Sequence, residues 1–187
     1  MARLEKLPPF DGDGLLPPGD YSLTLRELRS SMLVKGPQGR LTWDREWRRL
    51  LVDNLEILVL QLFAVGIEDV FIDGSFVEDK DHPNDIDGYF VCDLMELATG
   101  RLQRRLNALD PHRIWGWDPR TRKPYRGYPK KQLPMWHQYR VELYPHYGQG
   151  SGIVDAFGNE LEFPAAFRQS RRDGRARGII QIREKRR

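Results

Sequence analysis

Apolar residues recur at intervals of three and four through Trp47, Leu51, Leu55, Leu58 and Leu62, the spacing that lines one face of an α-helix. This predicts a long core helix from Trp43 to about Val65, capped by Thr42 and closed by Gly66 in a left-handed conformation. Upstream, Thr24-Leu25-Arg26-Glu27 reads as a capping box, with a short helix following to about Met32. The stretch from Pro8-Pro9-Phe10 to Pro17-Pro18-Gly19 is rich in Pro and Gly and predicts extended or turning chain. Residues 35–40 predict a turn.

A period of two then replaces the period near four. Asp69-Val70-Phe71-Ile72-Asp73 predicts a short strand ending at Gly74. Asp85 to Cys92 predicts a second, with Ile86, Gly88, Phe90 and Cys92 on one face and Asp85, Asp87, Tyr89 and Val91 on the other. Pro83-Asn84 punctuates the loop between them, and Asp93 is positioned to cap a helix from Leu94 to about Leu109, weakened by Gly100. After a turn-rich span from Pro111 to Leu133, Tyr139 to Tyr144 predicts a third strand. Pro164 to Gln169 fits one or two helical turns, and Gly178 to Ile182 a last strand. The order α, α, β, β, α, β, β predicts an α+β (mixed α/β) fold in a single domain. Residues 43–160 form its expected core, between an N-terminal extension with a short helix (1–42) and a basic strand and tail (161–187).

Composition narrows the class. Among 187 residues, 40% are hydrophobic and 11% aromatic, which argues against wholesale disorder. The single cysteine, Cys92, excludes an internal disulfide framework and fits a reducing cytoplasm; within an apolar strand it reads as a core residue. No charged-then-apolar leader follows Met1, and the apolar run Leu55 to Val65 is too short to span a bilayer. The expectation is a cytoplasmic protein with no membrane partner. The net charge of +3 hides an asymmetry: residues 1–111 hold 13 Lys+Arg against 20 Asp+Glu, and residues 112–187 hold 17 against 7. An acidic half suited to metal beside a basic half suits phosphate-bearing partners, although an unevenly charged solvated surface reads the same way.

The chemistry concentrates between Asp73 and Asp87. Asp85 and Asp87 stand two apart on a predicted strand, so both side chains face one way with Cα atoms roughly 6.5 Å apart. Carboxylates so placed can share a divalent cation, or hold two about 4 Å apart. Gly74 lets the backbone approach a phosphate, and the Ser75 hydroxyl with nearby amides can donate to its oxygens. An Asp-x-Asp pair alone is most simply solvated; a strand ending in Gly-Ser about ten residues earlier completes a device for triphosphates. Asp73 reads either as a further ligand or as a cap on the Gly-Ser turn. His82, His112, His137 and His146 show no metal-ligand spacing.

With Gly74-Ser75 and Asn84-Asp85-Ile86-Asp87, the chain resembles the nucleotidyltransferase superfamily, the fold of DNA polymerase β and of small bacterial MNT-type enzymes. The wider set Leu16-Pro17-Pro18-Gly19, Thr24 to Glu27, Asp73 to Val77, Lys80, Pro83 to Asp87 and Arg177-Gly178-Ile179-Ile180 resembles a little-characterised bacterial family of nucleotidyltransferase-like proteins. The resemblance implies a mixed sheet flanked by helices, with Mg²⁺ or Mn²⁺ held by Asp85 and Asp87 and by a third carboxylate on a later strand, for which Glu142 is the candidate. It implies a nucleoside triphosphate gripped at Gly74 and Ser75, and transfer of a nucleoside monophosphate to a protein or a tRNA end, in toxin–antitoxin or defence settings. The chain departs from that pattern where Phe76-Val77-Glu78-Asp79 replace the usual Arg and small residues after Gly-Ser. Lys80 is the candidate to supply the missing positive charge, with a solvated loop lysine as the plainer reading.

Residues 120–131 interleave cations with Tyr125 and Tyr128, a composition suited to RNA or to a nucleotide base. The tail adds Arg168, Arg171, Arg172, Arg175, Arg177, Arg183, Lys185, Arg186 and Arg187; a solvated loop and tail is the plain alternative. Three functional classes follow. An enzyme would lose turnover but not fold with Asp87→Ala, an inactive module would keep salt-sensitive RNA or partner binding, and an antitoxin-like interaction protein would respond to neither metal nor nucleotide.

Overall fold

The computed structural model describes residues 7–155, 157–170 and 174–184. Arg171, Arg172, Lys185, Arg186 and Arg187 of the basic tail lie outside the described residues.

After the predicted extended stretch comes a strand, β1 (Asp20–Thr24), for which the sequence pattern predicts no element. Thr24 then caps α1 (Leu25–Ser30) through the predicted box: its Oγ1 accepts from the Glu27 amide at 3.2 Å, and its amide donates to Glu27 Oε2 at 2.7 Å. Ser31 ends α1 and caps a second short helix, α2 (Met32–Lys35), so the predicted single helix is two. The long helix α3 (Arg45–Ala64) begins later than predicted. Asp44, not Thr42, is its cap, accepting from the Trp47 amide at 3.0 Å, and Trp43 is left outside the helix but buried. Gly66 closes it at φ +86°, with Ile67 donating to Leu62 and Gly66 to Phe63, the paired bonds of a Schellman ending.

Next come β2 (Val70–Asp73), a 3₁₀ turn (Gly74–Val77) and β3 (Ile86–Val91). The predicted helix after Asp93 is divided by Gly100, at φ +69°, into α4 (Leu94–Ala98) and α5 (Arg101–Leu109). Pro134 seeds an unforeseen helix, α6 (Pro134–Tyr139), since proline is preset for a first helical position. The predicted third strand therefore starts two residues late, as β4 (Val141–His146), after a reversal at Arg140 with φ +56°. An exposed pair, β5 (Gly150–Val154) and β6 (Glu160–Glu162), was not legible in its Gly-rich sequence. The chain closes with α7 (Phe163–Phe167) and β7 (Ile179–Arg183).

Both helices and a mixed sheet are present, so the fold is α+β. The five-stranded sheet runs β1-β7-β2-β3-β4, parallel at its two outer pairs and antiparallel between β7, β2 and β3. The strands from residues 20–24 and 179–183, outside the predicted core span, are thus members of the central sheet. Leu51, Leu55, Leu58 and Leu62 of α3 are fully buried against Val70, Ile72, Ile86, Phe90, Val141 and Leu143, each large side chain contributing roughly 1.5–3 kcal/mol. The opposite face carries only a small cluster around Tyr89, Phe167 and Ile179. One face of the sheet holds the protein together, which leaves the other for polar groups. Among the described residues no helix is long and apolar enough to cross a membrane.

A charged residue sits inside the apolar layer. Arg48, wholly buried on α3, donates to the carbonyls of Leu33, Phe76 and Lys80 at 2.7, 2.8 and 2.6 Å and to that of Glu78 at 3.3 Å. Its guanidinium lies 3.8 Å from the Trp43 ring centre. Burial pushes its pKa down to about 9, so it stays charged at neutral pH. Arg48→Met keeps the stem but leaves these carbonyls unpaired, and should cost on the order of 3–5 kcal/mol. Urea unfolding should show this loss, with Arg48→Lys recovering only part of it because an ammonium lacks the guanidinium fork.

Candidate functional site

Strand register builds the site. Asp73, the last residue of β2, pairs with Asp87 of β3, and Asp87 pairs with Glu142 of β4. Adjacent strands lie about 4.8 Å apart, so three carboxylates stand side by side across the sheet. Asp85, two residues before Asp87, adds a fourth on the same face, opposite to that of Ile86 and Phe90. The sequence-predicted acids Asp85, Asp87 and Glu142 are therefore brought to one place, with Asp73 beside them.

Gly74 follows Asp73 at φ +76°, and a Cβ there would meet Asp87 Oδ2 at 2.7 Å. Glycine is required twice at this position, for the left-handed backbone and for the close approach of a carboxylate. Ser75 and Gly74 line a cavity of about 230 Å³ with Asp73, Asp87 and Arg177. A larger cavity of about 650 Å³ adjoins it, sharing Asp73, Asp87, Phe167 and Arg177. Asp85 and Glu142 complete the acids of the larger cavity, Arg122, Lys130 and Lys131 its cations, and Ile153, Phe163 and Phe167 an apolar part. The volume suits a small-molecule ligand of nucleotide size.

Each of three acids is held by donors of the protein. Trp136 Nε1 donates to Asp85 Oδ2 at 2.6 Å. The Leu133 amide donates to Glu142 Oε1 at 2.8 Å, the Tyr144 hydroxyl donates to Oε2, and Arg122 lies 3.7 Å from Oε1. Arg177 donates to Asp73 Oδ2 and to Glu78 Oε1, each at 2.5 Å, bracketing the Gly74–Val77 turn from both ends. Burial and the Glu142 carboxylate push the Tyr144 hydroxyl far up its scale, so it remains a proton donor. Burial, with the like charge of Glu142, raises the Asp85 pKa against the opposing effects of the Trp136 bond, Lys80 and Arg140. A raised carboxylate pKa marks a place where a proton or another cation is welcome.

Oxygen donors of this kind suit Mg²⁺ or Mn²⁺, and a carboxylate accepting through one oxygen can still offer the other. Among the described residues, no three His, Cys, Asp or Glu side chains already stand grouped as a metal site. Glu142 in particular has both oxygens engaged. Lys80, predicted as a phosphate contact, is exposed and lines neither cavity; its carbonyl is held by Arg48. Arg122, Lys130, Lys131 and Arg177 are the cations beside the acids. The first three belong to the basic-aromatic stretch visible in sequence, whereas Arg177 meets Asp73 across 104 residues with no local signal. Trp136, 51 residues from Asp85, was likewise not legible as a partner of the acids, whereas Tyr144 lies two residues from Glu142 in the predicted strand.

A model described as a family of unknown function, DUF6932, matches residues 8–183, a span that includes every strand of the sheet. The chain belongs to DUF6932. No curated protein and no solved structure gives a significant match. In sign, the raised Asp85 pKa means that the folded chain binds that proton more tightly than the unfolded chain. Stability accordingly falls as pH rises from the ordinary aspartate range through the raised value. Asp85→Asn keeps an oxygen for Trp136 and removes the charge. It should flatten this fall and stabilise the protein at pH 7 by about 1 kcal/mol, the size common for a single stabilising substitution; urea titrations across pH measure it.

Proposed function

We propose that this DUF6932 protein is a magnesium- or manganese-dependent nucleotidyltransferase. It moves a nucleoside monophosphate from a nucleoside triphosphate to a hydroxyl of an RNA or protein acceptor. The observation that carries the reading is the row Asp73–Asp87–Glu142 with Asp85 on the same face, next to a left-handed Gly74-Ser75 turn and a cavity with basic residues. Asp85 and Asp87 would hold the divalent ions, and Glu142 would join them on exchanging its Tyr144 bond. Bound there, the cation neutralises the triphosphate and aligns its oxygens for in-line displacement. Gly74 and Ser75 would hold the β- and γ-phosphates. The acceptor oxygen bonds to the α-phosphorus as the bond to the bridging oxygen breaks and pyrophosphate leaves; Glu142 takes the acceptor's proton.

A second reading has an observation of its own. Asp73, Asp85 and Glu142 are tied to protein donors, which suits a module that keeps the fold and binds RNA or a partner protein without turnover.

Melting temperatures with ATP, GTP, CTP or UTP, with and without Mg²⁺, separate the two. At a hundred times Kd a ligand adds about 2.7 kcal/mol, worth several degrees in a domain of this size. The enzyme reading expects a magnesium-dependent rise with at least one nucleotide, lost in Asp87→Ala, together with at least a 100-fold loss of transfer. Absence of any magnesium-dependent shift would sink it and leave the binding module.

A further inference from the structure

The cations around the larger cavity come from one segment, and that segment is one-signed. Residues 119–141 contain seven Lys and Arg and no Asp or Glu. Lys123 and Gln132 close it into a loop through a β-bridge, with reciprocal amide-to-carbonyl bonds of 2.9 and 2.8 Å. Its closing limb delivers Lys130 and Lys131, and its opening limb Arg122, to the cavity of Asp85, Asp87 and Glu142. Arg122 is fixed there by donating to the Lys131 carbonyl and the Tyr144 hydroxyl. Lys123, Arg126, Lys130 and Lys131 are exposed.

The loop also carries a ring. Tyr125 is 40% exposed. The Arg140 guanidinium lies 4.3 Å from its centre, and Trp136 and Tyr128 meet it at 5.0 and 5.4 Å in tilted, edge-type contacts. Its orientation is thereby fixed while part of it faces solvent. Trp136 is the same residue that donates to Asp85, so the ring is one packed side chain away from the acids.

We propose that this loop docks single-stranded nucleic acid, and that the acceptor of the reaction is such a strand. Exposed lysines and arginines beside the acids would take backbone phosphates, and Tyr125 would stack on a base that is free of a partner strand. Each base has a π-face, so the platform requires an unpaired strand rather than a particular sequence. A protein acceptor would call for apolar or mixed-charge contacts, whereas this segment presents a single sign. The gripping turn Gly74-Ser75 opens on the adjoining smaller cavity, on the side without loop cations, so donor and acceptor phosphates have separate places with Asp73 and Asp87 common to both. The identity of the acceptor rests on the transfer reading; the docking itself does not.

Fluorescence anisotropy of a labelled single-stranded oligoribonucleotide, titrated across salt, tests the docking. Three or four phosphate contacts give a slope of log K against log salt of about −2 to −3. Lys130→Glu with Lys131→Glu should weaken binding at least 10-fold and flatten that slope. Tyr125→Ala should weaken it about 5-fold or more with the slope kept, since stacking releases no counterions. All three side chains are exposed, so unchanged melting temperatures serve as the folding check. Binding should persist in Asp87→Ala, which separates docking from transfer. Failure of the wild type to bind, equal binding of a blunt duplex, or indifference to the loop variants would each overturn the proposal. So would transfer to a protein substrate without RNA binding, an outcome that leaves the nucleotidyltransferase reading standing.

Discussion

Arg48 is the constraint on which the rest of the structure depends. The chain from Phe76 to Lys80 leaves the sheet as irregular backbone, and irregular backbone inside a protein must find partners for its carbonyls. A single guanidinium on α3 supplies them, reaching Phe76, Glu78 and Lys80 while also capping the end of α2 at Leu33. The fork of Arg48 thus fixes the segment immediately after Gly74-Ser75 to the longest helix. Arg177 fixes the same turn from the other side, through Asp73 and Glu78. This single 3₁₀ turn of four residues is held from both sides by buried arginines, which is how a short glycine-containing segment acquires a defined shape.

Register does for the acids what the arginines do for the turn. Neither Asp73, Asp87 nor Glu142 is near another in sequence terms that local pattern could weigh, apart from Asp85 and Asp87. Pairing of β2 with β3 and β3 with β4 puts them in one line, and a slip of one residue would carry an acid to the α3 face. The apolar face forbids that slip: Ile72, Ile86, Phe90, Val141 and Leu143 are all fully buried beneath α3. Hydrophobic burial on one side of the sheet is therefore what aligns the charges on the other.

This division explains what the sequence could reveal. The α3 stripe, the alternation of β3 and the capping box at Thr24 are local signals, and each appears in the fold near its predicted place. Asp44 displaced Thr42 as cap because its carboxylate reaches the Trp47 amide; either residue type fits the position by composition. β1 escaped notice because an edge strand paired only with β7 has a short apolar pattern, and α6 because Pro134 follows a long span of turn residues. At the site, Asp85 and Asp87 were legible from spacing, and Glu142 only as the third acid that the resemblance implies. Arg177 and Trp136 act across the tertiary structure, and no short window of sequence contains both partners, whereas Tyr144 stands two residues from Glu142 on one strand. Lys80 was picked for its position along the chain; Arg48 holds its carbonyl, and its exposed side chain lies outside both cavities while its charge still acts on Asp85.

The cost of assembling these acids also argues about their use. The like charges of Asp85 and Glu142 repel, and burial of Asp85 adds desolvation to that repulsion. The protein offsets this with an indole N–H, a backbone amide, a tyrosine hydroxyl and two arginines rather than by replacing the acids with apolar residues. Replacing such a cluster with apolar side chains is commonly neutral or stabilising, so a purely structural role gives no reason for it. Cations on one loop, acids on the sheet and a cavity of about 650 Å³ between them form an arrangement that stability alone does not call for. Under the proposed function, a divalent cation would answer the acids, and the phosphates of an acceptor strand would answer the loop cations.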